Sequence, residues 1–249
     1  MKPEIGLQLY SLREKCNESL ENVLREVSGA GYAGVEFYSF FNINAKDMKE
    51  LLKKYNLKAM GTHTNTDVLN SSLDELIKYC NCLETEYIGL GWYDAEDRDG
   101  WLRFCEKAEK WGERMRRNGI HFLYHNHSHE FIPKYNDDFA ENIILKNTSP
   151  ENVSLELDCY WVAYAGVDPV EYLSENISRI RTIHIKDMAD KQEKKMTEVG
   201  TGIIDCGQLY KIASEADFKW VAIEQDNIYI DPFESVRISI NNLKGYTTK

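Results

Sequence analysis

No C-x-x-C pair occurs among the six cysteines of this chain, Cys16, Cys80, Cys82, Cys105, Cys159 and Cys206. A zinc ribbon or a disulfide framework therefore finds no support, and reduced, mostly buried thiols are expected. Cys80 and Cys82 stand two apart on a predicted helix and point away from each other. No apolar run is long enough to span a membrane, and no signal peptide precedes the first predicted strand. A cytoplasmic setting is expected, unless a leader has been removed. Basic charge is also in short supply: the net charge is -11. Such a surface repels nucleic acid and anionic membrane on average, so neither is expected as a partner. The densest basic patch, Arg114, Arg116 and Arg117, falls on a predicted helix and reads as a solvated face. No G-x-G-x-x-G follows the first strand, so a dinucleotide-binding Rossmann domain lacks its fingerprint. Neither a linker nor a low-complexity tract divides the chain, and one domain over residues 1–249 is expected.

What the chain does have is alternation. Strands are predicted near 4–10, 32–38, 57–63, 86–91, 120–127, 153–158, 180–186 and 219–225. Helices are predicted near 17–29, 45–55, 71–83, 97–118, 137–147, 168–176, 205–216 and 231–243. Start and stop signals agree, among them Asp168-Pro169 with proline in the first turn and Asn118-Gly119 after the fourth helix. Eight strand–helix units with short links, in 249 residues, predict an α/β fold, a (β/α)8 TIM barrel.

Within the strands, polar residues gather on one face near the C-terminal ends. Val153, Leu155 and Leu157 share a face, and Ser154, Glu156 and Asp158 the other. Ile183 and Ile185 oppose Thr182, His184 and Lys186. Val35 and Phe37 oppose Glu36, Val221 and Ile223 oppose Glu224, and His63 ends the third strand. A parallel barrel explains this, because its inner face leads up to a site at the strand C-termini.

Asp158, His184 and Glu224 stand at the ends of strands six, seven and eight. Two carboxylates and an imidazole without a thiolate suit one divalent ion, Mn²⁺, Mg²⁺, Co²⁺ or Zn²⁺. The sharpest motif is Tyr124-His-Asn-His-Ser-His-Glu-Phe131. His125 and His127 share the inward face and Asn126 points the other way. One of His125, His127 and Glu130 is expected to supply a fourth ligand. Glu130 is favoured, since a carboxylate can also take a proton, and His125 is its direct competitor. Lys186 beside the metal would hydrogen-bond a substrate oxygen or stabilise an enediolate, and an ion pair with Asp158, Glu156 or Glu36 is the equal alternative. Glu36 and His63 line the other half of the mouth, and Tyr10, Trp161, Trp92 and Phe40 offer apolar walls for a sugar ring. His121, at a strand start, reads as structural. The loop Met188–Gly202 reads as a lid or as a solvated loop, and Gly200-Thr-Gly202 as a source of backbone N–H groups for an oxygen-rich ligand.

These residues resemble the sugar phosphate isomerase/epimerase group of xylose isomerase-like TIM barrels. The resemblance is carried by Gly6-Leu-Gln-Leu-Tyr-Ser-Leu-Arg13, Gly34-Val-Glu36-Phe, the Tyr124–Phe131 motif, Leu157-Asp158-Cys-Tyr-Trp161, His184-Ile-Lys-Asp187 and Ile223-Glu224. It implies metal ligation by Asp158, His184 and Glu224, and two acidic residues that shuttle a proton beside a carbonyl. Many relatives place Glu where His125 stands, so the fourth ligand stays open between Glu130 and His125. The expected activity is a metal-dependent isomerase or epimerase of a small sugar or keto-sugar. Glu224 or Glu130 would abstract the proton, through an enediolate. A dehydratase or lyase through the same intermediate is the alternative, with His125 or His127 as general acid. A non-catalytic sugar-binding protein and a DNA-repair endonuclease are more distant readings.

Overall fold

The computed structural model describes residues 2–132, 135 and 138–247. Eight parallel strands close into one barrel: β1 Glu4–Gln8, β2 Gly34–Phe37, β3 Lys58–Thr64, β4 Tyr87–Leu90, β5 His121–His125, β6 Val153–Asp158, β7 Ile180–Ile185 and β8 Trp220–Ile223. Each strand pairs with its neighbours in sequence, and β1 closes the ring on β8 with Leu7 opposite Ile223. Ten helices are described: α1 Arg13–Ala30, α2 Ala45–Lys54, α3 Thr66–Ser71, α4 Leu73–Leu83, α5 Arg98–Arg116, α6 Ala140–Asn147, α7 Cys159–Tyr164, α8 Pro169–Glu175, α9 Cys206–Glu215 and α10 Pro232–Thr247. Among the described residues, no helix is long and apolar enough to cross a membrane.

The caps follow from local chemistry. Asn44, Asn65, Asp97, Asp168 and Asp205 each accept a backbone N–H of the first turn of α2, α3, α5, α8 and α9, and so satisfy donors that the helix leaves unpaired. The alternation sorts the core into two parts. Leu7, Val35, Ile88, Phe122, Leu155, Ile183 and Val221 face outward and are buried under the helices. Met60, Tyr87, Leu123, Trp220 and Ala222 form a separate apolar cluster that fills the N-terminal half of the barrel interior. Gly61 makes room for it, since a Cβ there would lie 2.0 Å from the Tyr87 ring.

Two predicted strand ends shift, and two short helices are added. The first strand ends at Gln8, because the Gln8 side chain accepts the N–H of Tyr10 and starts a 3-10 turn over Leu9–Leu12. Tyr10 therefore sits on a turn at the mouth and not in the sheet. The fifth strand ends at His125, because the N–H of His127 goes to the Glu130 carboxylate. The short helix α7 follows β6 directly, where no helix was predicted, and α3 precedes the predicted start of α4. Residue 137, the predicted start of the fifth helix (α6 in the structure), lies outside the described residues.

Candidate active site

Two irregularities in the sheet help to aim the site. The register shifts at Val35/Glu36, where β3 carries the extra residue Met60, and at Leu155/Glu156, where β7 carries the extra residue Arg181. A bulge bends its own strand and tightens the local twist. Each shift lies beside an inward carboxylate of the neighbouring strand. Glu36 and Glu156 are both fully buried near the C-terminal end of the barrel interior.

Lys186 stands at the centre of the upper part of the site. Its Nζ lies 2.8 Å from Asp158 Oδ2, 2.8 Å from Glu224 Oε2 and 3.0 Å from Asp226 Oδ1. Burial alone would lower its pKa, but Asp158, Asp226 and Glu224 outweigh that and hold the ammonium charged. The Asp158 backbone is clamped by Asn126, whose Oδ1 accepts the Asp158 N–H at 2.8 Å. Asp158 Oδ1 accepts the N–H of Trp161 at 3.0 Å, so this carboxylate is both helix cap and site residue.

His184, fully buried, joins two groups of carboxylates. Its Nδ1 lies 2.7 Å from Glu224 Oε2, and its Nε2 lies 2.7 Å from Glu36 Oε2 and 3.2 Å from Glu156 Oε1. Burial would lower its pKa, and the charges of Glu156, Glu36 and Glu224 raise it well above the usual histidine value. His63 behaves alike: burial is outweighed by Glu36 and Glu156, and the ring is pushed up. Its Nε2 lies 2.5 Å from Glu156 Oε2 and 3.3 Å from Glu36 Oε1. His125 is the opposite case, as burial lowers it to about 4 and leaves it neutral. Its Nδ1 is 3.2 Å from Glu156 Oε2 and its Nε2 is 3.7 Å from Asp158 Oδ2. Burial raises Glu36, while for Glu224 the charges of Lys186 and His184 overcome burial and keep the carboxylate ionised.

A cavity of about 430 Å³ opens above these groups. Its walls include Tyr10, Tyr38, His63, Trp92, His127 and Trp161. Trp92 packs edge-on against His127 at 4.6 Å, and His127 lies 5.5 Å from the Trp161 ring. Burial lowers His127 well below the usual range, so this ring is neutral as well. Tyr10 meets Tyr38 edge to face at 5.5 Å. The floor is charged and the walls are aromatic, the pattern of a pocket that grips the hydroxyls and the apolar face of a small polar ring.

The structure thus brings together Tyr10, Glu36, His63, His125, His127, Asp158, Trp161, His184, Lys186 and Glu224, and also Trp92. It does not bring Glu130 to them. Glu130 is buried, but its Oε1 accepts the Tyr124 hydroxyl at 2.7 Å and its Oε2 accepts the His127 N–H at 2.8 Å. Tyr124 is on the outer face of β5, so Glu130 is folded back behind the barrel wall. Phe40 stacks on Tyr79 at 3.9 Å and serves packing instead of the mouth. His121 lies at the start of β5, away from the site. The N–H groups of Gly200 and Gly202 are already taken: both donate to Asp187 Oδ2 at 2.9 Å. That contact, with a two-stranded ribbon of Asp187–Met188 and Met196–Thr197, pins the loop that follows β7. The basic trio is solvated, with Arg114 paired to Asp74 and Arg117 to Glu113.

Two residues of the site have no catalytic or ligand role in the reading from sequence. Glu156 was read on the inward face, and its place between His63, His125 and His184 needed the closed ring to appear. Asp226 was missed, although the spacing Glu224-x-Asp226 continues the alternation that marked Glu224. Burial raises Asp226 to about 6 despite Lys186.

The donor set suits a divalent ion. His125, Asp158, His184 and Glu224 each offer a ligand atom, all within 4.8 Å of one another. Five carboxylates (Glu36, Glu156, Asp158, Glu224 and Asp226) line the site, with the Lys186 ammonium beside the last three. With all five ionised and both His63 and His184 protonated, two negative charges remain, and burying them unbalanced is costly. Nitrogen and oxygen donors without thiolate fit a borderline or hard divalent cation.

Such a site, at the C-terminal mouth of a (β/α)8 barrel, is where this architecture places catalysis. The comparisons agree with the class. Residues 24–246 match the family model described as xylose isomerase-like TIM barrel, and the chain belongs to that family. It is 23% identical to the inosose dehydratase of Bacillus cereus (strain AH820), over 93% of this chain and 88% of that protein. A sugar phosphate isomerase/epimerase from Parabacteroides distasonis has a similar structure, with a TM-score of 0.83, 22% identity, and 96% of each chain covered. The zinc-bound IOLI protein aligns with a TM-score of 0.74, 14% identity and 98% of each chain covered. The family is one of enzymes.

Proposed function

We propose that this enzyme moves a proton at the carbon beside a carbonyl of a small sugar or keto-sugar, as an isomerase or epimerase. The observation that carries this reading is the buried group of Asp158, His184, Lys186 and Glu224 at the floor of an aromatic-walled mouth. Trp92, Trp161 and Tyr10 receive the apolar face of the ring. Glu224 is held ionised by Lys186 and His184 and serves as the base. Lys186 donates to a substrate oxygen from its position between Asp158 and Glu224. Asp226, raised to about 6 by burial, stands at the same mouth to return a proton.

A divalent ion held by Asp158, His184 Nδ1 and Glu224 would acidify the C–H by polarising the carbonyl and its neighbouring hydroxyl. Three protein ligands leave room for substrate oxygens, as catalytic sites require. His184 would then donate its Nε2–H to Glu36, which fixes the ring. Glu130 is not the fourth ligand in this reading, since both of its oxygens are committed behind β5. The zinc of the IOLI protein supports the assignment of a divalent ion.

A second reading is dehydration by the same first step. The relationship to an inosose dehydratase over 93% of the chain favours it. Both are tested together by incubating the metal-loaded enzyme with sugars and keto-cyclitols in deuterium oxide. Isomerisation or epimerisation gives a product of unchanged composition with deuterium beside the carbonyl, and dehydration gives loss of one water. Glu224→Gln should lower either turnover at least about 100-fold. Normal turnover in that variant would refute the role of Glu224.

A further inference from the structure

Below the proposed catalytic ion lies a second group of ligand atoms that this reading does not use. His63 Nε2 and His125 Nδ1 both approach Glu156 Oε2, at 2.5 and 3.2 Å. Glu36 Oε1 stands 3.3 Å from the same His63 nitrogen. His63, His125, Glu156 and His184 each offer a ligand atom within 4.8 Å of the others. Glu36 and Glu156 are fully buried and His125 nearly so.

The hydrogen bonds leave specific atoms over. Among the described residues, Glu36 Oε1, Glu156 Oε1 and His125 Nδ1 are buried without a hydrogen-bond partner. His125 Nδ1 is near Glu156 Oε2 but too far out of line to form a bond. Glu36 Oε2 is occupied by His184 Nε2, and its other oxygen points to His63. Glu36 Oε1 and Glu156 Oε1 have ion-pair contacts only, to His63 Nε2 at 3.3 Å and His184 Nε2 at 3.2 Å, and a buried acceptor left without a hydrogen bond costs free energy that a bound cation recovers. Lys186 does not serve here, since its partners are Asp158, Glu224 and Asp226. The facing strand β4 keeps the space clear. A Cβ at Gly89 would lie 3.0 Å from His63 Cδ2 and 3.5 Å from Glu156 Oε2.

We propose that His63 Nε2, His125 Nδ1, Glu156 and Glu36 bind a second divalent cation, deeper in the barrel than the catalytic one. Two imidazoles and two carboxylates select a borderline ion such as Zn²⁺ or Co²⁺ over Mg²⁺ or Ca²⁺. The two positions share no ligand atom. The upper one takes His184 through Nδ1, while Glu36 accepts the Nε2–H of that ring through one oxygen and offers the other to the deeper ion. His63 and His125 line the mouth cavity, which gives the ion a way in. The inference stands independently of whether the upper position holds metal.

The test is stoichiometric. Purified full-length protein, stripped with chelator and reloaded with Co²⁺ or Zn²⁺, is desalted and its metal-to-chain ratio measured by elemental analysis. The visible absorption of the Co²⁺ form gives an independent reading. Wild type is expected to hold two equivalents, and His63→Asn and Asp158→Asn one each, with a different Co²⁺ spectrum remaining in each variant. Glu156→Gln is a second variant against the deeper position, and circular dichroism confirms that each variant is folded. One equivalent in wild type, lost in Asp158→Asn and kept in His63→Asn and Glu156→Gln, would overturn the deeper site and leave the proposed catalytic ion intact. One equivalent lost in His63→Asn and kept in Asp158→Asn would support the deeper site and refute the upper. No metal in wild type would overturn both.

Discussion

The two ends of the barrel interior are built from the same strands and follow opposite rules. On β8, Trp220 and Ala222 join the apolar cluster below, and two residues further Glu224 pairs with Lys186. On β5, Leu123 is in the cluster and His125 is in the site. A rise of roughly 7 Å along a strand separates a filling that stabilises by leaving water from one that must be compensated charge by charge. The lower end is expected to accept apolar replacements of similar volume, whereas at the upper end each change of charge leaves a buried partner uncompensated. The difference teaches where stability is made in this fold and where it is given up for a site.

The largest effect is expected where compensation is removed. Lys186→Met leaves Asp158, Glu224 and Asp226 facing one another without their common cation. Truncating one partner of a buried charge cluster costs about 3–5 kcal/mol, and losing a donor to substrate oxygen lowers kcat by about 10²–10³. Urea unfolding and kcat/KM should both record the loss. A variant with wild-type stability would mean that another cation neutralises these acids, and metal content would then have to rise.

Next comes the lower end. Leu123→Ala should cost about 2–5 kcal/mol in unfolding free energy by loss of apolar burial and a residual cavity, while kcat/KM under native conditions stays within a few-fold. A parallel fall in kcat/KM at temperatures where the variant is folded would show that the apolar layer also positions His125, and the two ends would not be separable.

Much of this division was legible as alternation. Glu36, Asp158, His184, Lys186 and Glu224 stand where a strand of period two had to put them, and the eight strands lie within a few residues of their expected ranges. What was not legible depended on turns and on ring closure. Glu130 looked available because nothing local shows that Ser128–Phe131 turns back and offers its carboxylate to Tyr124 and the His127 N–H. Tyr10 looked like a strand residue because Leu7, Gln8, Leu9 and Tyr10 keep alternating past the point where Gln8 caps a turn. The pairing of Glu36 with His184 joins β2 to β7 across the barrel, and no sequence spacing encodes a distance through the interior. Glu156 was on the correct face, and its partners only became visible with that closure.

The smallest effect sharpens the comparison from outside both ends. Glu141, on α6, is a fully buried carboxylate, and among the described residues neither of its oxygens has a hydrogen-bond partner. Burial first, and then the charge of Glu130, pushes its pKa well above the usual value. The unfolded chain releases this proton near the ordinary glutamate value of about 4.3, while the folded protein holds it to higher pH. Between the two values the native state carries more protons than the unfolded state, so stability falls as pH rises. Glu141→Gln has no such proton to release. Its unfolding free energy should therefore gain on wild type progressively from mildly acidic pH upward, by less than about 2 kcal/mol, the scale of ordinary point substitutions. The gain should vanish at low pH, where both side chains are neutral. Unfolding curves for both proteins across the acidic-to-neutral range measure it, and a difference that does not change with pH would show that Glu141 is ionised and compensated. In that case the contrast between paired acids at the mouth and an unpaired acid outside it would fail. The gain would instead confirm that a buried carboxylate is kept charged in this fold only where imidazole, ammonium or metal stands against it.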